Sequence, residues 1–120
     1  MASGAACRTR GGRLELRLYI AQRLSALILA PLVLIHLIGI VYATQGGLSA
    51  AEILARTEGS PLFAAFYGLF VLAAAVHAPV GLRTIIREVT PWHGRSLDAA
   101  ACLFGLLILA LGLRAVAAIT

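Results

Sequence analysis

Lysine is absent from this chain of 120 residues, and all ten of its basic residues are arginine. Acids are scarcer, five in all, which leaves a formal charge of +5. Charged residues of both signs make up only 12% of the sequence, against 61% hydrophobic. A soluble domain of this length needs more polar surface than such a composition supplies. The positive balance does not indicate nucleic acid, because no basic stripe interleaved with aromatics runs along the chain. Cysteine is nearly missing too. Cys7 lies in a polar stretch and Cys102 in an apolar run, and the pair fits no disulfide framework, metal spacing or redox motif. There is no phosphate-binding loop, zinc site, nucleophile–base pairing or internal repeat. The excess apolar surface is left to face lipid.

Leu24 to Ala43 contains no formally charged residue over twenty positions, close to the ~20 residues that cross a ~30 Å hydrocarbon core. Leu14 to Arg23 extends that helix into the interface, and Gln45-Gly46-Gly47 stops it. Ser49-Ala50-Ala51-Glu52 is a capping box and predicts a short surface helix over Ala50–Thr57. Ser60-Pro61 opens a second span, with proline where its missing N–H does least harm; no charge follows until Arg83. Thr90-Pro91-Trp92-His93-Gly94-Arg95 forms a compact loop. A third span begins near Asp98, with Arg114 able to snorkel to the headgroups. The prediction is an all-α integral membrane protein: a basic tail over 1–13, then one three-helix transmembrane domain over 14–120, with spans at about 18–43, 61–86 and 97–118.

The tail holds Arg8, Arg10 and Arg13 and no acid, which resembles a targeting segment. The long apolar run behind it lacks a small-residue cleavage site, so it reads as a retained, loose, cytoplasmic tail. Arginines concentrate in the tail and in the 83–95 connection. The positive-inside rule then places the N-terminus in the cytoplasm and the C-terminus outside.

Polar residues inside apolar spans are costly and mark candidate sites. His36 and His77 qualify. A neutral imidazole is an axial ligand for haem iron, and haem in a helix bundle is held by histidines; the bland alternative is a histidine bonded to a neighbouring helix. His77 sits among small residues, Ala73 one turn before it and Gly81 one turn after, on the same face, where a flat macrocycle can approach. Alanine-rich faces also serve ordinary helix packing. Pro79 frees the carbonyl of Ala75, so local bending is expected there.

His77-x-x-x-Gly81-x-Arg83, followed by Glu88, resembles the second transmembrane helix of the cytochrome b anchor subunits of succinate:quinone oxidoreductases. Gln22-Arg23-Leu24-Ser25 resembles the His-Arg-x-Ser/Thr-Gly signature of the first helix, with Gln22 in place of histidine. The resemblance covers about residues 14 to 118. Val89 stands where one of the two anchor types has a tyrosine, which favours the other, C type.

The resemblance implies that His77 is an axial ligand of haem b and that this chain works with a second membrane anchor, an iron–sulfur subunit and a flavoprotein subunit in a bacterial inner membrane. Succinate oxidation would belong to other chains. It further implies that Arg23 lies beside a quinone, where a guanidinium stabilises charge developing on a carbonyl oxygen; positive-inside anchoring or a haem-propionate contact are the alternatives. Ser25 would add a hydroxyl, and Tyr19, one turn earlier, would supply another donor. His36 is the candidate ligand for a second haem, although one haem, with His36 as a non-ligand, is the expectation. Trp92 is assigned to the interfacial aromatic belt and His93 to solvent. Arg87 and Glu88 either meet peripheral subunits or mark the helix end. Two rival functions remain: a small proton-pathway or transporter subunit using His36 and His77, and a purely structural assembly protein.

Overall fold

The computed structural model describes the backbone of residues 2–120 and the side chains of residues 11–120. Cys7, Arg8 and Arg10 lie outside the described side chains. Four helices follow one another: α1 (Ala2–Gln45), α2 (Ala50–Thr57), α3 (Pro61–Val89) and α4 (Arg95–Ile119). Among the described residues, three helices are long and apolar enough to cross a membrane: Gly11–Gln45, Pro61–Val89 and Arg95–Ile119. Each extends slightly past its predicted span. The largest difference is at the N-terminus, where helical backbone runs through the tail that the sequence suggested was loose. Alanine and arginine are good helix formers, and Gly11-Gly12 weaken a helix by only about 1 kcal/mol each.

The ends of the elements follow their local chemistry. α1 closes in a Schellman motif: Leu48 N–H donates to Ala43 O at 3.0 Å and Gly47 N–H to Thr44 O at 3.3 Å. Gly47 has φ +65°, a conformation glycine adopts without steric penalty. α2 has the expected box: Glu52 N–H donates to Ser49 Oγ at 3.3 Å, and Ser49 N–H to Glu52 Oε2 at 2.7 Å. Ser60 caps α3 through Phe63 N–H at 3.4 Å, with Pro61 in the first turn. Helix α3 continues through Pro79, and α1 through Pro31.

α3 is the central helix, packed on α1 along one side and on α4 along another. The contact with α4 is made by glycine. A Cβ at Gly105 would lie 3.1 Å from both Ala75 O and the Pro79 ring, and one at Gly112 would lie 2.5 Å from a Val71 methyl. The carbonyl that Pro79 frees is thus covered by the Cα of Gly105. Among the described residues, the buried apolar side chains are Ala73, Pro79 and Leu97 alone. Leu27, Leu62 and Val89 are each more than 70% exposed, which water would not tolerate in such number and lipid would. An open groove of about 510 Å³ runs beside α3 and α4, lined by Leu72, Val76, Pro79 and Leu106 and reached at one end by the Arg83–Asp98 pair.

Candidate haem-ligand and quinone-contact residues

The first-helix and second-helix motifs meet. Ser25 Oγ lies 3.3 Å from His77 Nδ1 across the α1–α3 interface and donates to Gln22 O at 3.0 Å. Ser25 is 5% exposed, and so is one of the few buried polar residues. Beside it, the Gln22 amide lies over Gly81; a Cβ there would approach Gln22 Nε2 to 3.0 Å. The space that the sequence reserved for a macrocycle at Gly81 is therefore taken by Gln22, whose Oε1 is buried with no partner among the described residues. His77 Nε2 is different. It is neither buried nor hydrogen-bonded among the described residues, so it opens onto the surface of the chain.

Arg23 is brought to neither His77 nor Ser25. It is exposed, and its Nε donates to Tyr19 Oη at 3.1 Å while its guanidinium carbon lies 5.5 Å from the centre of the Tyr19 ring. Two residues along a helix turn the side chain by about 200°, so Arg23 and Ser25 face nearly opposite ways. The serine turns inward to His77, and Arg23 with Tyr19 turns outward.

His36 occupies a third place. Its ring meets Tyr67 edge-on at 5.7 Å and Phe70 at 5.6 Å. Its Nδ1 is buried without a partner among the described residues. It lies about 16 Å further along α1 than Ser25, at 1.5 Å per residue. With Ser25 against His77 and His36 against Phe70, the two histidines sit at different depths.

The arginine-rich end carries an ionic cluster that the sequence did not reveal. Arg83, its side chain 11% exposed, donates from Nε to Asp98 Oδ1 at 2.6 Å and from Nη2 to Glu15 Oε1 at 3.1 Å. Arg87 Nη1 reaches the same Glu15 oxygen at 2.6 Å. One arginine of α3 thereby ties α1 and α4. The available signal was Glu15 itself, the sole acid before Glu52. Arg87 is accounted for within the chain, while Glu88 makes no ion pair among the described residues. Trp92 Nε1 donates to Ser96 Oγ at 2.8 Å with the indole 43% exposed, as a belt residue does. His93 is exposed, its Nδ1 2.7 Å from Pro91 O.

Among the described residues, no group of three His, Cys, Asp or Glu side chains could hold a bare metal ion. A haem iron needs only one ligand from each side, and an accessible imidazole nitrogen meets that requirement. No curated protein and no solved structure matches the chain. A family model does: that of the succinate dehydrogenase/fumarate reductase transmembrane subunit, over residues 7–118. That match spans nearly the whole chain, its first-helix and second-helix motifs included, and the chain belongs to this family of multi-pass membrane subunits.

Proposed function

We propose that this chain is a membrane anchor of a succinate:quinone oxidoreductase in the bacterial inner membrane, arginine-rich end toward the cytoplasm, that gives one axial ligand to a haem b and part of a quinone site. The observation that carries this reading is His77, a histidine within an apolar span whose Nε2 is free and accessible while its other nitrogen is held by Ser25. A neighbouring anchor would give the opposite ligand. Bound there, the haem would supply a one-electron redox centre within the bilayer. The residues of this chain do the rest. His77 offers its nitrogen at the open face, Gln22 and Gly81 close the face behind it, and Arg23 presents donors outward to a quinone carbonyl at the boundary with the iron–sulfur subunit. Tyr19 orients that guanidinium.

One haem is favoured over two. Ligating histidines almost always donate their other ring N–H to an acceptor. His77 has such a partner in Ser25, whereas His36 Nδ1 has none among the described residues and Tyr67 and Phe70 flank its ring.

The test is a reduced-minus-oxidised spectrum of the purified complex, with haem quantified per flavin. A single b-type haem, lost in His77→Leu and retained in His36→Leu, is the expected result. A complex with no b-type haem signal that still reduces quinone would remove the haem half of the proposal. Two haems, with one lost in His36→Leu, would overturn the single-haem reading.

A further inference from the structure

We infer that Ser25 is a positioning residue for His77: it fixes the imidazole tautomer and tunes the iron through it. This inference rests on the haem reading above and deepens it. A serine hydroxyl carries one proton and can accept at its lone pairs. The carbonyl of Gln22 can only accept, so the 3.0 Å contact from Ser25 Oγ uses that proton. Toward His77, at 3.3 Å, Ser25 Oγ is left as an acceptor. Nδ1 must then carry the hydrogen, and the lone pair of the neutral ring resides on Nε2, the nitrogen that opens outward. The chain of donors runs in one direction, from His77 Nδ1–H to Ser25 Oγ–H to the carbonyl of Gln22.

Two features make the arrangement more than a chance contact. Ser25 is 5% exposed, so water does not compete for either bond. Its acceptor carbonyl lies in its own helix three residues back, a position that backbone geometry holds whatever partner docks outside. The 3.3 Å separation is long for a hydrogen bond, so the main effect is on ring orientation and proton placement, with a modest electronic effect. An acceptor on the far ring nitrogen makes the imidazole a stronger donor to iron. That favours the ferric state and lowers the midpoint potential. Loss of the acceptor should therefore raise it.

The experiment uses the assembled complex carrying Ser25→Ala, Ser25→Cys, Ser25→Thr or His77→Leu. Redox titration of the haem absorbance and the low-spin ferric electron paramagnetic resonance signal are the readouts. Alanine removes the acceptor, cysteine keeps the approximate size with a weak acceptor, and threonine keeps the hydroxyl. The expected result is a haem retained in all three serine variants, its potential raised and its resonance altered in the alanine and cysteine forms, with the threonine form reading as wild type. Should the alanine form fail to assemble, the cysteine form decides. Wild-type potential and resonance in that form, or a threonine form shifted as far as the others, would overturn the role of Ser25. His77→Leu separates the two levels. If it loses the haem signal while the serine variants read as wild type, only the positioning role fails. If it keeps the wild-type spectrum, His77 is no ligand and the positioning role falls with it.

Discussion

Where α3 meets α1, side chains interlock: Ser25 bonds His77 and Gln22 lies over Gly81. Where α3 meets α4, glycine backbone on α4 lies against α3, Gly105 against the Ala75 carbonyl and Pro79 ring, Gly112 against the Val71 side chain. The polar interface can give way, because the far end of a glutamine can swing aside. The glycine interface cannot, because a proline ring, a carbonyl and a β-branched side chain have little freedom. In lipid, where apolar burial does not drive helices together, close glycine packing holds α4 along the span, with the Arg83–Asp98 pair at its end. On the proposed function, one face of α3 serves chemistry and the other serves assembly.

Changes on the α1 side should therefore remove function and leave the fold. The largest effect is expected from Arg23→Leu. Leucine inserts more readily than arginine, so the subunit should assemble. Quinone reduction should fall on the order of 10²-fold, as when a donor to a developing oxyanion is removed, while succinate oxidation with a soluble acceptor persists. Equal activity with both acceptors would reduce Arg23 to a topology residue.

The contrast between the faces is sharpest in two alanine substitutions. Gly112→Ala puts a methyl into Val71 and should cost about 1–3 kcal/mol, seen as a lower midpoint in thermal unfolding of the complex. Gly81→Ala meets only the Gln22 amide and should cost less than about 1 kcal/mol, offset by the helix propensity of alanine. Equal losses at the two positions would mean that the two interfaces of α3 yield alike. A smaller effect is expected at the ionic cluster that bridges both faces. Arg83→Leu leaves Asp98 without its partner and Glu15 with Arg87 alone, and both carboxylates are about half exposed. The expected loss is roughly 1–2 kcal/mol, above that of a surface pair and below that of a buried one, and it should shrink in high salt.

Much of the fold was legible because local chemistry determines it. Ser49 and Glu52 bound α2, Gly47 ends α1, and Ser60-Pro61 opens α3 just where each was expected. The candidate site could be named residue by residue, but not the direction in which each side chain points. Arg23 and Ser25 are near neighbours in sequence and belong to one motif, yet helical rotation sends them to opposite faces. Gly81 reads as empty space along the chain, but its occupant, Gln22, lies far away in sequence. Gly105 and Gly112 carried no signal in a run of alanine and leucine, since their meaning lies in Pro79 and Val71 on another helix.

The smallest effect is expected at the exposed start of α2, and it depends on pH. Ser49 N–H, and secondarily the Ser49 hydroxyl, hold the Glu52 carboxyl below its ordinary value, with Arg56 adding a little. A carboxylate whose value is lowered by folding stabilises the folded form above its unfolded value, near 4.3. That contribution is lost as pH falls through the lowered folded value. Hydrogen exchange at the Ser49 and Ile53 amides, in detergent-solubilised complex, should therefore report a well-formed α2 at pH 6 and progressive fraying toward pH 3. Glu52→Gln keeps a neutral acceptor in the third helical position, as capping boxes allow. Its exchange, corrected for intrinsic pH dependence, should be faster than wild type at pH 6 and flat across the same range. The spectrum of the haem and the unfolding midpoint should not follow this titration, because Ser49 and Glu52 are exposed and the bonds between them are local to the start of α2. A haem potential that moved with Glu52 would tie the surface loop to the site and contradict the division of labour between the two faces.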